Sequence, residues 1–392
     1  SLVGAATLVA LVLLWPGRVD RPAGEPDPPA RAGTVTAVRE RPCDPAALGP
    51  GVDPATAACG DVSVRMAEGP ERGRTVTAGV PSGPGAPRVA VGDKVRVMHL
   101  SDGAGGTTYS ITDHHRVTPL WLLGAAFALA VVAFGRWRGL RALAGLAVTF
   151  AVLLWFIVPA ILDGRSPVLV AVVGAAAIML VVLYLTHGFT TATTIAVAGT
   201  LASLVLTAVL AALATGAAHL SGVSDETSSY LDLSLGAVNM RGLLLAGIVI
   251  GALGVLDDVT VTQAATVGEL AHANPGYRFR HLYQAATRVG RAHIASVINT
   301  IVLAYAGASL PLLVLFAAGD DRLGEVLTSQ LIAEELVRAM VGTIGLVAAV
   351  PVTTALAAAA VTGARSDPRR RAPRRPGAGE PWMAAFGDAP PR

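Results

Sequence analysis

Gly247-Ile248-Val249-Ile250-Gly251-Ala252-Leu253-Gly254-Val255-Leu256-Asp257-Asp258-Val259-Thr260-Val261-Thr262-Gln263 carries a membrane-type apolar run straight into two adjacent carboxylates and a polar tail, with no helix breaker between them. Positions 247, 251, 254, 258, 262, 265 and 269 are Gly, Gly, Gly, Asp, Thr, Ala and Glu. Steps of three and four place them on one face of a single helix. Glycines allow a neighbouring helix to approach closely, so this stripe is expected to face protein, with Gly247, Gly251 and Gly254 leading to Asp258 and Thr262. Carboxylates at or near membrane depth are costly and mark pathways or pairing sites, which makes this segment the first place to look for function.

The rest of the chain fits a membrane protein. Of its 392 residues 53% are hydrophobic and only 15% charged, too apolar a balance for an ordinary soluble domain. Windows long enough to cross a bilayer occur at roughly 119–136, 140–161, 167–186, 190–215, 237–258, 292–317 and 336–361. The expected fold is therefore an α-helical polytopic membrane protein: a seven-helix bundle over 119–362, an N-terminal apolar segment over 1–15, and a small extracytoplasmic β-rich domain over 16–118. The apolar segment reads as an uncleaved anchor rather than a signal peptide, since no Ala-x-Ala site follows it.

Positive charge sets the orientation. Arg136, Arg138 and Arg141 share one side with Arg278, Arg280, Arg288, Arg291 and the run from Arg365 to Arg375, whereas the opposite loops hold mainly Arg165 and Arg322. That bias places the C-terminal tail in the cytoplasm and residues 16–118 outside a bacterial cell membrane. The tail, 363–392, is rich in Arg and Pro and is expected to be disordered. An orientation signal near anionic lipid accounts for its charge better than nucleic-acid binding does, so the bilayer is the expected partner and nucleic acid is not.

Between 16 and 118, dense Pro and Gly give way to short alternating runs at 33–38, 61–66, 74–80, 92–98 and 107–112. Several short strands separated by turn residues suggest a small barrel or sandwich. Cys43 and Cys59, the only cysteines, fall in this segment. In an oxidising compartment a disulfide is the default reading, with a two-Cys metal site aided by His99, His114 or His115 as the alternative.

Polar residues elsewhere gather on the Arg-rich side. Thr186 or Thr190 is placed to cap the fourth span, and the neighbouring threonines either bond back to their own helix or line a water-filled mouth. The sixth span carries His293, Ser296, Thr300, Ala304 and Gly307 on a small-residue face, with Asn299 beside it and Pro311 bending its outer end. Arg288 and Arg291 open that helix, where pairing with Asp257 or Asp258 would offset the cost of low dielectric.

The string at 251–263 resembles the signature of the YibE/F family of bacterial multipass membrane proteins. Further matches are Glu269-Leu270, Asn274-Pro275, Arg288-Val289-Gly290-Arg291-Ala292-His293-Ile294, Asn299-Thr300 and Ala304-Tyr305-Ala306-Gly307-Ala308. An N-terminal apolar segment followed by an outside β-rich segment is also similar to that family's layout. The resemblance implies a membrane protein without fixing a substrate.

Enzyme motifs are missing from the sequence. There is no Gly-x-Ser-x-Gly elbow, His-Glu-x-x-His zinc helix or phosphate-binding Gly-x-x-x-x-Gly-Lys-Ser/Thr loop, and Lys94 is the only lysine. An intramembrane aspartyl protease needs carboxylates on two facing helices, whereas here they adjoin on one. Neither catalysis nor a cofactor is expected. The function that fits best is transport of a proton, cation or small solute. Asp258 would be the titratable or ion-coordinating group, Asp257, Thr262 and Gln263 its shell, and Asn299 an approach from the sixth span. Gly247, Gly251, Gly254, Glu269, Arg288 and Arg291 would support it. The alternative is a non-transporting scaffold or accessory protein whose β domain binds a partner. A homo-oligomer or a membrane partner protein is compatible with either.

Overall fold

The computed structural model describes residues 2–17, 30–43, 59–81, 86–101, 107–224, 226–235, 238–318 and 323–366. The Pro/Gly-rich lead-in and the Arg/Pro-rich tail, on which the expectation of disorder fell, lie mostly outside them. The chain divides into two compact units, Asp20–Leu140 and Ser1–Val19 with Arg141–Arg392.

In the first unit, alternation of apolar and polar residues sets the strands. Val62, Val64 and Met66 point inward from one, Val95 and Val97 from another, and with Val35, Ala78 and Ile111 they form the core. The strands are β1 (Arg31–Arg41), β2 (Cys59–Met66), β3 (Thr75–Gly79), β4 (Lys94–Ser101) and β5 (Thr107–His114). They close into a barrel in the order β1-β2-β3-β5-β4. Each pairing is antiparallel except β3–β5, which is parallel with Ala78 opposite Tyr109. The Tyr109 hydroxyl donates to Glu71 Oε1 at 2.6 Å across that seam. Closure removes the exposed edges that an open sheet of this size would carry.

Cys43 and Cys59 form the expected disulfide, with Cα atoms 5.2 Å apart. Arg41 pairs with Cys59 across β1–β2, so the bridge ties the chain just beyond the last rung of that ladder. Closing this loop stabilises a small core by about 3 kcal/mol in the chain-entropy model. Reduction should therefore lower the barrel's unfolding free energy by about that amount, measured as the denaturant midpoint of limited proteolysis of the barrel with and without reductant. Equal midpoints would show that the staple contributes nothing.

The second unit is helical, and the helix Val117–Val152 belongs partly to each. The helices are α1 (Leu2–Leu13), α2 (Val117–Val152), α3 (Val158–Leu162), α4 (Pro167–His187), α5 (Thr191–Ala217), α6 (Glu226–Leu235), α7 (Met240–Ala273), α8 (Phe279–Ala308), α9 (Leu310–Ala318), α10 (Leu323–Thr328) and α11 (Gln330–Ser366). A π-helical turn, Leu153–Ile157, joins α2 to α3. Among the described residues, six helical runs are long and apolar enough to span a membrane.

That number differs from the expected seven. The first two expected spans fall in one run, Val117–Leu162, of 46 residues. At about 1.5 Å per residue this is roughly 69 Å, more than twice a ~30 Å hydrocarbon core. The run breaks at Arg136, whose φ of 50° and ψ of −127° are non-helical. A Cβ on Gly139 would strike the Val131 carbonyl, so the backbone doubles back at this point and only glycine fits.

The helices α4, α5, α7 and α11 build the bundle core, which includes Phe156, Ala171, Met179, Leu183, Leu204, Val249, Leu256 and Leu346. Helix α7 sits among the other three. The side chain of Thr190 caps α5 by accepting from Thr193 N at 3.1 Å, and Asn239 caps α7 by accepting from Gly242 N at 2.8 Å. The helix α8 ends at Ala308, three residues before Pro311, and the chain resumes as α9, as proline's missing N–H dictates. Pro351 instead lies inside α11 and leaves the Val347 carbonyl without its donor one turn on.

Candidate functional site

The glycine stripe of α7 lies on the opposite side from the one expected. Its buried residues include Leu253, Leu256, Val259, Thr260, Gln263, Ala264 and Val267, while Gly247, Gly251, Gly254, Asp258, Thr262 and Glu269 are exposed or nearly so. The reason is competition between two faces of one apolar helix. Branched side chains fill the interfaces with α4, α5 and α11, and the glycines take the side left over. A Cβ at Gly247 or Gly254 would meet nothing within 4 Å, and one at Gly251 would meet only the Tyr305 hydroxyl, at 3.3 Å.

The expected site is therefore divided. Asp258 is exposed, and its backbone N–H donates to Asp257 Oδ1 at 2.8 Å. Asp257 is half-buried, at the margin of the packed face of α7. Asn299 is exposed on α8 and makes no hydrogen bond to the carboxylates. Arg288 and Arg291 are exposed too. The four ion pairs among the described residues are Arg41–Asp61, Arg116–Asp113, Arg165–Asp163 and Arg338–Glu335, so the expected Asp–Arg pairing is not formed within the chain. Of the proposed shell only Gln263 is fully buried, and it lies elsewhere.

Gln263, expected in the shell of Asp258, instead belongs to a buried polar locus whose other members the sequence reading did not name. Its Nε2 donates to the Ala286 carbonyl and to Thr354 Oγ1, both at 2.8 Å. One turn away Thr260 meets Thr200 of α5, oxygen to oxygen, at 2.6 Å. Gly199 lies against Thr353, whose hydroxyl is fully buried and has no hydrogen-bond partner. The small residue on one helix admits the hydroxyl of the next, and Gly345 receives Thr207 in the same way.

These contacts belong to a longer line. Along α5, Thr193, Thr200, Ser203, Thr207 and Thr215 are all buried, the last four completely. From Thr193 to Thr215 is 22 residues, about 33 Å of helix, close to the hydrocarbon thickness of a bilayer. Ser203, Thr207 and Thr215 donate to carbonyls one turn back at 2.8–2.9 Å, and Thr200 to Ala196 at 2.9 Å. Their protons are spent on their own helix, so what they turn toward α7 and α11 is lone pairs. Such a line can accept from a proton donor or coordinate a cation.

Two acids accompany it. Thr260 stands level with Thr200 and α7 runs antiparallel to α5, so Asp257, three residues before Thr260, lies near the level of Ser203, about midway along the line, and the Thr260 hydroxyl lies 3.1 Å from the Asp257 carbonyl. At the Thr193 end a cleft of about 510 Å³ opens between the ends of α5, α7 and α11, with Thr191, Ala264, Gly268, His272 and Pro275 among its lining. At the Thr215 end, Glu334 of α11 is buried and accepts from Gly222 N at 3.2 Å, Ser224 Oγ at 2.9 Å and Gln330 Nε2 at 3.0 Å. A larger groove, about 850 Å³, runs between α1 and α4, but its walls are apolar and it is remote from this chemistry. Among the described residues no group of His, Cys, Asp or Glu is arranged to hold a metal ion.

A signal for the line existed in the spacing of Thr193, Thr200, Ser203 and Thr207 by seven, three and four, which is one helix face. It was obscured because Ser and Thr also occur on other spans, such as Ser296 and Thr300 on the sixth.

Comparison with known proteins places these helices. A family model described as YibE/F-like protein matches residues 123–363, more than half the chain and the whole stretch that carries the line. Neither a curated protein nor a solved structure gives a significant match.

Proposed function

The chain belongs to the YibE/F-like family of membrane proteins, and on that premise we propose that it is a multipass transport protein moving a proton, small cation or small solute along the α5–α7–α11 interface. The observation that carries this reading is the bilayer-length line of buried hydroxyls on α5, with Asp257 near the level of its middle and Glu334 at its Thr215 end. Buried polar groups are costly in an apolar bundle and are kept where they line a pathway. The acids suit a positively charged or proton-donating substrate, because the buried polar residues among those described include no Lys, Arg or His. Asp257 is the titratable group partway along the line, and Gln263 joins α7 to α8 and α11 nearer the Arg-rich end. No catalytic step is part of this reading.

In this reading the run broken at Arg136 makes two crossings, for seven in all. The Arg distribution sets the barrel outside and the C-terminal tail in the cytoplasm of a bacterial cell. The cleft near His272 is then the cytoplasmic mouth.

One observation favours the alternative of a non-transporting scaffold: Gly199 against Thr353 and Gly345 against Thr207 pack the line shut. Flux measurement separates the two. The full chain in proteoliposomes, given proton, Na⁺ or K⁺ gradients and read with ion-sensitive dyes, should conduct above protein-free vesicles. Gln263→Leu should lower that flux about tenfold or more, since it removes a buried donor of two hydrogen bonds. No flux for the natural chain would favour the scaffold, and full flux for Gln263→Leu would place the path elsewhere.

A further inference from the structure

The helix α8 is the least enclosed of the long spans: 11% of its apolar stretch is buried, against 44–50% for α4, α5, α7 and α11. Its buried residues, Leu282, Ala286, Gly290 and Ile294, lie on one side. Opposite them run Arg288, Ala292, Ala295, Asn299, Val302 and Ala306, all exposed. Their steps of four, three, four, three and four are the a/d repeat of a left-handed coiled coil. The alanines would let a second helix come close.

Asn299 stands at the centre of this seam. It lies eight residues beyond Arg291, about 12 Å along the helix and so within the hydrocarbon layer. Its carboxamide makes no hydrogen bond with the described residues. An unpaired amide facing lipid is unfavourable, and a carboxamide is both donor and acceptor, so it is complementary to its own copy. A single Asn at an a position also fixes register and oligomeric state in paired helices.

Charge points to the same occupant. Among the described residues the exposed Arg288 and Arg291 find no carboxylate, and the exposed Asp258 finds no cation. Residues 263 and 290 are neighbours in the α7–α8 hairpin, since a Cβ on Gly290 would touch Gln263. Asp258 therefore sits roughly one turn from the level of Arg291, within reach of a guanidinium on a long side chain. We propose that two copies of this chain pair through α8 about a twofold axis along the membrane normal. Asn299 bonds Asn299 of the second copy, and Arg291 meets Asp258 of the second copy. The contact is isologous, as a closed dimer requires.

Cysteine cross-linking tests the seam directly, because the two native cysteines are already joined. In native membranes under mild oxidation, Ala292→Cys, Ala295→Cys and Ala306→Cys, each introduced alone, should give covalent dimers. Val209→Cys, on an exposed face of α5, should not. Asn299→Val should weaken dimerisation of the purified full chain in detergent about tenfold, the effect of one interhelical hydrogen bond. Because the residue is exposed, the monomer should fold as before. Asn299→Gln should retain pairing. Failure of the seam positions to cross-link would overturn the proposal, as would equal cross-linking at Val209 or cross-linking only to a different protein.

Discussion

Gly199→Leu should abolish the folded bundle, or lower its stability by about 3 kcal/mol at the upper end of overpacking costs, while Gly247→Leu leaves it intact. A Cβ at Gly199 would already collide with Thr353 Oγ1, with Thr353 Cβ at 3.0 Å and Cγ2 at 3.1 Å. Rotating Thr353 only exchanges one branch for the other, so the clash is relieved by moving α5 away from α11. That movement would break the Thr200–Thr260 contact one residue on. At Gly247 nothing lies within 4 Å. Thermal unfolding of the purified chain in detergent should separate the two variants by many degrees. A milder pair sharpens the test. Gly199→Ala should be destabilising alone and partly rescued by Thr353→Ala, which removes a buried hydroxyl that has no partner to lose. Equal midpoints for Gly199→Leu and Gly247→Leu would mean that α5 and α11 are not in this contact.

The same pair of glycines shows what a sequence can and cannot reveal about a membrane bundle. Steps of three and four identified both the helix through Asp257 and the stripe of small residues on it. They could not tell which side of that helix the protein occupies. In a soluble helix the apolar face is the buried one. In α7 both faces are apolar, so the choice falls to shape matching with α4, α5 and α11, which no single helix records. Gly199 and Gly345 receive a threonine across an interface, and Gly247 receives nothing, yet all three look alike in the chain.

Where one face meets water the reading went further. All five strands of the barrel were placed by alternation, and the disulfide by compartment. Barrel closure was not legible, because β5 pairs with β3 across a long sequence separation. The break at Arg136 falls between the first two expected spans, 119–136 and 140–161; what the sequence did not reveal is that a single non-glycine residue with positive φ makes the turn.

Asp257→Asn should abolish proton- or cation-linked flux while Asp258→Asn leaves most of it, the reverse of the order the glycine stripe suggests. The two carboxylates adjoin in sequence but point about 100° apart around the helix. Asp258 is exposed on the glycine side; Asp257 is half-buried beside Thr260, which contacts Thr200 on the hydroxyl line. Asparagine keeps the size of the side chain and can still accept from the Asp258 backbone N–H, as Asp257 Oδ1 does at 2.8 Å. What it loses is the charge and the exchangeable carboxyl proton. The variant should therefore fold, reach the membrane and show an unchanged unfolding midpoint, with its flux near that of protein-free vesicles. Asp257→Glu should restore part of the flux, because it returns a carboxylate on a stem one methylene longer. Asp258→Asn should instead act on the contact between copies, weakening dimerisation with Asn299→Val and leaving single-chain transport largely in place. If Asp257→Asn conducts like the natural chain, the Asp257 carboxylate takes no part in transport, and the path along the buried hydroxyls loses its titratable group.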